Sequence, residues 1–275
     1  MRILISLVIF CLSAAAIQAV EISRSSIPAQ QGSIIIVTLD NDKTASDVIF
    51  FDDKKYPLSG NKGYIPIPAY LNTGSHSIKF NDTTTTIDIL SGHFRSENIN
   101  LPKSKKTETK KKDFPKATKD VYGALSKYNK DISYIDNFIM PLEGEIIEPF
   151  GTKRTLDHKI DWGYHGGVDL SADAGTPIHA SNGGIVELSD NLPVYGNVVV
   201  INHGQGFATI YMHMKESHVA EGDKVEKGEV IGLVGSTGLS TGPHLHWGLY
   251  LHGVKVDPIR WLAQQQKAAN NVAKN

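Results

Sequence analysis

The chain of 275 residues contains a single cysteine, Cys11, which lies inside the first apolar run. One cysteine forms no intrachain disulfide and cannot build a cysteine-based zinc site. A large excess of one charge is also missing, because 28 Lys and Arg against 29 Asp and Glu leave a net charge of −1. We therefore predict no general attraction to nucleic acid.

Long apolar runs are scarce, and the one that stands out occupies residues 1–19. A basic start at Arg2, an apolar stretch and the small residues Ser13–Ala16 are typical of a secretory signal peptide. The run is short for a membrane span. We expect cleavage after Ala16 or Ala19 and an exported, cysteine-free protein with no stable membrane span; an uncleaved anchor is the alternative.

Residues 20–95 alternate short β-branched runs with turn residues, which predicts a small β-sandwich. The predicted strands cover 33–39, 47–51, 64–67, 75–80 and 84–89. Residues 96–138 follow as a basic linker and helix. Eight lysines between Lys103 and Lys119 indicate a solvated linker, and attraction to an anionic envelope surface is the alternative. Helical spacing of apolar residues then predicts an amphipathic helix through Val121, Leu125, Tyr128, Ile132 and Ile135.

Residues 139–262 form a second predicted β domain, since 19 of the 25 glycines fall between Gly144 and Gly253. The predicted strands are 184–188, 197–201, 208–212, 230–234 and 245–250. Asp257-Pro258 is typical of a helix start. We expect a short helix through Trp261 and Leu262, then a polar tail over 263–275.

The second β domain also holds nine of the eleven histidines. His244 and His246 alternate along a predicted strand, so both rings point to one face. His165 and Asp169 would lie about 13 Å apart on a straight strand, but the glycines between them favour a turn that brings them together. Tyr211 and His213 are predicted to share a strand face.

Two histidines and one carboxylate form a ligand set typical of catalytic zinc, in which a fourth position stays open to water. A structural zinc site is normally closed by four ligands, often cysteines. A metal bound by this domain is therefore predicted to be catalytic. The other histidines are interpreted as ordinary surface or core residues: His76, His93, His158, His179, His203, His218 and His252.

Six motifs in this domain resemble the lysostaphin/LytM-type (M23) zinc metallopeptidases. They are Phe150–Arg154, His165–Asp169, Ala174–Ile178, Gly196–Gly204, Tyr211–His213 and Ser236–Gly248. Residues 22–100 resemble, more weakly, the Ig-like β domain that precedes the catalytic domain in many envelope members. The resemblance implies a mainly β fold with an N-terminal Ig-like β-sandwich and a C-terminal LytM-type domain that carries an active-site groove.

The resemblance also implies roles for six residues. His165, Asp169 and His246 would bind one Zn²⁺ ion, and His213 and His244 would be the catalytic histidines. Tyr195 falls in a loop that borders the groove and would bind substrate.

The implied activity is a peptidoglycan endopeptidase of the Gram-negative periplasm that cuts D-Ala–diaminopimelate cross-links in stem peptides, with D,D-carboxypeptidase trimming. The alternative from another class is a non-catalytic regulator that binds a cell-wall amidase through the groove. A further hypothesis is latency, in which the N-terminal region covers the groove, and an envelope regulator would be a partner.

Overall fold

The computed structural model describes residues 20–21, 29–39, 48–100, 114–130, 134, 137–156, 158 and 160–272. The predicted signal peptide, residues 101–113 of the basic linker, and Ile132 and Ile135 lie outside the described residues. Among the described helices, none has both the length and the apolar character needed to cross a bilayer.

The N-terminal unit is a seven-stranded sheet in the order β1-β2-β5-β4-β3-β6-β7. Its strands are β1 (Val20–Glu21), β2 (Ile34–Leu39), β3 (Val48–Phe51), β4 (Lys54–Ser59), β5 (Lys62–Pro66), β6 (Gly74–Phe80) and β7 (Thr83–Ile89). Alternate residues of β2 and β3 are buried, as period-two patterning requires. The five predicted strands are present. Strand β4 was not predicted because it is polar at its start and contains Pro57. The Ig-like assignment of this unit stays a prediction.

The large sheet of the C-terminal unit has the order β18-β14-β15-β16-β20-β12-β9, and β21 pairs with β20. Its strands are β9 (Ile146–Glu148), β12 (Val168–Ser171), β14 (Gly184–Leu192), β15 (Gly196–Gly204), β16 (Phe207–Met214), β18 (Lys224–Val225), β20 (His244–Leu251) and β21 (Val254–Val256). Strand β20 is buried along its whole length, and it is an interior strand of this sheet between β16 and β12.

Two three-stranded sheets flank the large one. The first joins β11, β10 and β8, and the second joins β13, β19 and β17. Their bounds are β8 (Ser96–Ile99), β10 (Lys153–Leu156), β11 (Ile160–Tyr164), β13 (Pro177–His179), β17 (Glu216–Ser217) and β19 (Val230–Leu233). Strand β8 lies at the start of the segment 96–138 that was predicted as a basic linker and helix, and it pairs in parallel with β10 of the C-terminal unit.

The two helices differ from their predicted extents. Helix α1 spans Phe114–Leu125, so the prediction that it continues through Tyr128 was wrong. Tyr128 instead stacks on His252, with ring centroids 5.9 Å apart. Helix α2 spans Pro258–Val272, so most of the predicted polar tail is helical.

A shared apolar core joins the two β units. Tyr64 of β5 lies edge-on to Phe207 of β16, with ring centroids 5.2 Å apart, and to Trp261 of α2, at 6.3 Å. Ile34 of β2 belongs to the same buried cluster. The backbone N–H of Asp257 also donates to the carbonyl of Gly32 at 2.8 Å. The N-terminal unit thus covers apolar surface at the base of α2 and the edge of the large sheet.

Candidate metal centre

The antiparallel pairing of β12 with β20 positions two of the three predicted ligands. Asp169 lies directly opposite His246 in this register, and the Asp169 Oδ1–His246 Nδ1 distance is 2.7 Å. His165 precedes β12, and its Nε2 lies 3.0 Å from Asp169 Oδ1 and 2.9 Å from His246 Nδ1. Three potential ligand atoms therefore converge on one point.

The glycines between His165 and Asp169 allow the predicted turn. They also have a second role, which the sequence alone did not indicate. The chain bends at Gly167, which brings the two side chains together. A Cβ at Gly167 would lie 2.2 Å from the carbonyl oxygen of Trp247, and a Cβ at Gly166 would lie 2.9 Å from the Lys255 side chain. The missing side chains therefore also allow β12 to pack closely on β20.

The protonation states of this cluster suit a cation. The Nδ1 atom of His165 lies 3.0 Å from the carbonyl oxygen of Pro149, so this nitrogen carries the proton of a neutral ring and Nε2 keeps its lone pair. Burial raises the pKa of Asp169, but His165 and His246 outweigh it and hold that pKa well below its usual range. Burial lowers the pKa of His246 to about 4, although Asp169 opposes this. Neutral imidazoles with an ionised carboxylate are the forms that bind zinc.

His165, Asp169 and His246 also form the one group of three or more histidine, cysteine and acidic residues, within the described residues, that has ligand atoms close enough to share a metal ion. The donor set and its convergence fit a zinc ion with three protein ligands and one open position.

A second pair of histidines, His213 and His244, lies beside this cluster. Their ring centroids are 5.0 Å apart, and the His213 ring lies 6.3 Å from that of His246. The Nδ1 atoms of His213 and His244 each lie 2.9 Å from a backbone carbonyl oxygen, that of Thr237 and that of Gly242 respectively. In a neutral ring with this partner, Nε2 is the atom left to interact with a bound molecule.

The prediction that Tyr211 and His213 share a strand face was wrong. The register between β15 and β16 shifts between Val199, which pairs with Tyr211, and Asn197, which pairs with Met214. His213 occupies this bulge with a φ of 63°, which points its ring into the groove. Tyr211 faces the core, where its hydroxyl accepts a hydrogen bond from the Ser181 N–H at 2.8 Å. A β-bulge redirects a side chain in this way.

The two histidine pairs line a groove of about 440 Å³. Tyr195 lines the same groove, and its pKa is raised by burial although Thr118 opposes the shift. The groove wall also includes Phe114 and Tyr122 of α1 and Ile99 at the end of β8. The N-terminal segments therefore border the groove.

Sequence reasoning assigned no role to Arg154 and overlooked Glu97. The Arg154 Nη2 donates to Asp169 Oδ2 at 3.1 Å, and its Nε donates to Glu97 Oε1 at 2.9 Å. Burial raises the pKa of Glu97, as does the neighbouring Glu148, while Arg154 opposes both. The scarcity of arginine, with five in the chain, is only a weak indication that Arg154 has a special role. The pairing of Glu97 with Arg154 could not be predicted either, because the parallel pairing of β8 with β10 leaves no local sequence pattern.

The remaining histidines within the described residues lie outside the groove. His203 is fully buried, and its Nδ1 and Nε2 lie 2.7 Å from the Gly183 carbonyl oxygen and 2.8 Å from the Thr209 hydroxyl. His179 Nδ1 lies 2.8 Å from the Gly228 carbonyl oxygen. The interpretation of these residues as ordinary core or surface histidines agrees with their positions.

Comparison with known proteins identifies the C-terminal unit. Residues 163–258 match the model of peptidase family M23. The chain is 44 % identical over 116 residues to the DD-carboxypeptidase/endopeptidase Mpg of Neisseria meningitidis, which is 42 % of this chain and 26 % of the relative. It is 43 % identical over 96 residues to the peptidoglycan DD-endopeptidase ShyA of Vibrio cholerae, covering 35 % of this chain and 22 % of that protein.

The chain thus spans about a quarter of the length of these curated relatives. A solved structure of an M23 peptidase from Pseudomonas aeruginosa resembles the fold with a TM-score of 0.60 and 23 % identity, over 87 % of this chain and 97 % of the other. The mainly β fold with a C-terminal LytM-type unit is therefore confirmed. Residues 163–258 of this chain therefore correspond to a peptidase M23 domain.

Proposed function

We propose that the protein is a zinc-dependent endopeptidase that hydrolyses D-Ala–diaminopimelate cross-links of peptidoglycan and also trims stem peptides as a D,D-carboxypeptidase. The observation that carries this proposal is the convergence of His165, Asp169 and His246 in one groove with His213 and His244. The names of the matched relatives, a DD-carboxypeptidase/endopeptidase and a peptidoglycan DD-endopeptidase, support the same bond class.

His165 Nε2, Asp169 Oδ1 and His246 Nδ1 would hold the zinc ion. Zinc in a site with three protein ligands supplies a Lewis acid and lowers the pKa of water to about 7. Arg154 holds the second oxygen of Asp169, which turns Oδ1 towards the two histidines. Oriented ligands of this kind favour metal binding.

His213 and His244 would handle the protons of the reaction. Their Nδ1 atoms are held by backbone carbonyls, so Nε2 faces the reacting groups. One ring accepts a proton from the attacking water and passes it to the leaving amine. The other, when protonated, donates a hydrogen bond to the oxyanion that develops on the scissile carbonyl.

Mass spectrometry of the products from defined cross-linked muropeptides tests this proposal. The full chain is incubated with the substrate in the presence of zinc, and in parallel after treatment with a chelator. We expect a new D-Ala carboxyl terminus and a free diaminopimelate amine, and we expect the chelator to abolish both. No cleavage with zinc present, or cleavage that survives removal of the metal, would refute the proposal.

The alternative function, a non-catalytic regulator of a cell-wall amidase, gains no support from the groove, because the groove retains both histidine pairs. A cellular test separates the two readings. The His246→Ala variant would lose its function if the protein is a peptidase, whereas a binding partner of an amidase would retain it.

The resemblance of residues 1–19 to a secretory signal peptide supports a location in the periplasm, where the protein would encounter the stem peptides of peptidoglycan. Fractionation of cells that express the full chain checks this point. Processed protein in the periplasmic fraction is expected, and protein confined to the cytoplasm would contradict it.

A further inference from the structure

Arg154 is a half-buried cation at the edge of the candidate metal centre. Its Nη2 donates to Asp169 Oδ2 at 3.1 Å, and Asp169 Oδ1 faces the two histidine ligands. The guanidinium is therefore separated from the metal position by the width of one carboxylate. Its side chain is 15 % exposed and lines the groove. A molecule that reaches the metal position comes close to this cation.

The second carboxylate partner of Arg154 is that of Glu97, which also lines the groove. The Arg154 Nε donates to Glu97 Oε1 at 2.9 Å, and the Glu97 side chain is 34 % exposed. Glu97 lies on β8, outside the C-terminal β unit, and meets Arg154 through the parallel pairing of β8 with β10. A carboxylate from outside the C-terminal β unit therefore already pairs with the arginine where both residues line the groove.

This pairing is crowded by a second acid. Glu148 lies beside Glu97, and its Oε1 is buried without a hydrogen-bond partner among the described residues. Arg154 is thus shared by the carboxylates of Glu97 and Asp169, and Glu148 crowds Glu97. Two like charges at one site weaken the hold of either carboxylate on a shared cation. Glu97 is the more exposed of the two carboxylates that Arg154 holds, at 34 % against 11 % for Asp169, and it is the one that another carboxylate can displace.

The substrates of the proposed function carry a carboxylate at a matching place. In a D-Ala–D-Ala terminus, the carbon bonded to the scissile nitrogen bears the free terminal carboxylate. In a D-Ala–diaminopimelate cross-link, the carbon bonded to the scissile nitrogen also bears a free carboxylate. Both bonds therefore present an anion on the leaving side, within one residue of the carbonyl under attack.

We propose that Arg154 binds the carboxylate on the leaving side of the scissile bond, and that Glu97 occupies this position until the substrate displaces it. The inference rests on the proposed function and deepens it, because it explains how one groove accepts both a carboxypeptidase and an endopeptidase substrate. Arginine suits the task, since its planar fork pairs with carboxylates through charge-assisted hydrogen bonds.

A pair of matched peptides tests the inference. Both end in D-Ala–D-Ala, one with a free carboxylate and the other with a carboxamide. We measure kcat and KM for each peptide with the zinc-loaded full chain, with Arg154→Gln and with Glu97→Gln. Arg260→Gln is the matched control, because Arg260 also pairs with a carboxylate, Asp257, but lies outside the groove. Zinc content is determined for every variant.

The wild type is expected to prefer the carboxylate peptide by about tenfold or more, as a charge-assisted hydrogen bond predicts. Arg154→Gln is expected to bring this ratio close to one. Glu97→Gln is expected to lower KM for the carboxylate peptide several-fold and leave the amide peptide unchanged. Arg260→Gln is expected to keep the wild-type ratio.

Results that differ from these expectations would contradict either the inference about Arg154 and Glu97 or the proposed function. If the wild type cleaves both peptides equally well, the inference fails and the proposed function stands. Equal losses on both peptides in Arg154→Gln would mean that Arg154 only positions Asp169. If Arg154→Gln does not fold, Glu97→Gln decides, and an unchanged KM overturns the displacement of Glu97. No cleavage of either peptide or of cross-linked muropeptides by the wild type removes the proposed function and the inference with it.

Discussion

Backbone carbonyl groups fix the ring orientation of the histidines that line the groove. The Nδ1 atoms of His165, His213 and His244 lie within 3.0 Å of the carbonyl oxygens of Pro149, Thr237 and Gly242. In each neutral ring the proton therefore sits on Nδ1 and the lone pair on Nε2. Local backbone structure, in addition to residue spacing, decides which nitrogen is available for chemistry.

His203 is a buried histidine outside the groove, and its burial predicts how the stability of the protein depends on pH. Burial lowers its pKa to about 4, below the value of about 6.5 in an unfolded chain. The stability that the neutral ring provides is thus complete above pH 6.5 and is lost as the pH falls towards 4. Because the unfolded chain binds a proton at His203 more readily than the folded protein, we expect the free energy of unfolding to fall by about 3 kcal/mol between pH 6.5 and pH 4.

Urea unfolding of the chelator-treated protein at several pH values between 7 and 4 measures this effect. His203→Gln is expected to flatten the pH dependence relative to the wild type. The matched control His218→Gln replaces an exposed histidine and is expected to behave as the wild type. A slope that is the same in His203→Gln and the wild type would contradict the assignment.

Contacts between residues close together in the sequence could be predicted from it, whereas contacts between residues far apart in the sequence could not. His244 and His246 share a face because side chains alternate along a strand, and the glycines next to His165 indicated the bend. Arg154 and Glu97 are 57 positions apart. Their contact depends on a parallel pairing that neither strand encodes alone.

At the scale of single elements, β16 shows why the position of His213 was mispredicted. Regular alternation would place His213 on the face of Tyr211, inside the core. The bulge against β15 turns it into the groove. Because a bulge is a property of two paired strands, one strand's sequence does not reveal it.

The close packing of β12 on β20 gives a prediction for Gly167. Its replacement by Ala would bring Cβ to 2.2 Å from the Trp247 carbonyl oxygen, so one of the two strands must move. Overpacking of this kind costs about 1 to 3 kcal/mol, and it shifts Asp169 relative to His246. We expect Gly167→Ala to lower Tm and to reduce cleavage at least about tenfold, since small misplacements of reacting groups have large effects.

Gly123→Ala is the matched control for this substitution. Gly123 lies in helix α1, where an added Cβ meets no atom within 4 Å. Alanine there is expected to raise stability by up to about 1 kcal/mol. A Gly167→Ala protein with wild-type Tm and activity would show that the close approach is not needed.

At the scale of the whole molecule, the two β units form one folding unit through their shared core. Tyr64 from the N-terminal unit is 6 % exposed and contacts Phe207 and Trp261. Hydrogen bonds from Asp257 to Gly32 and from Gln264 to Ile34 cross the same boundary. A chain that begins near Met140 would expose this apolar surface, so latency is better tested by substitutions within the full chain.

The shared core predicts that a substitution in one unit destabilises both. Tyr64→Ala removes a large buried ring and is expected to lower the free energy of unfolding by about 3 kcal/mol. Thermal unfolding is expected to remain a single cooperative transition with a lower midpoint. Tyr70→Ala, at a residue that is 66 % exposed, is the control and is expected to leave the midpoint unchanged. Two separate transitions in the wild type would contradict a common core.

The metal content of the purified full chain tests the central claim most directly. The account predicts one zinc ion per chain in the wild type, measured by elemental mass spectrometry after dialysis. It predicts that His246→Ala loses this zinc, whereas His213→Ala keeps it and loses only cleavage, because His213 lies beside the three ligand atoms and is not one of them. A wild-type protein without zinc, or a His246→Ala protein that retains a full equivalent, would contradict the account.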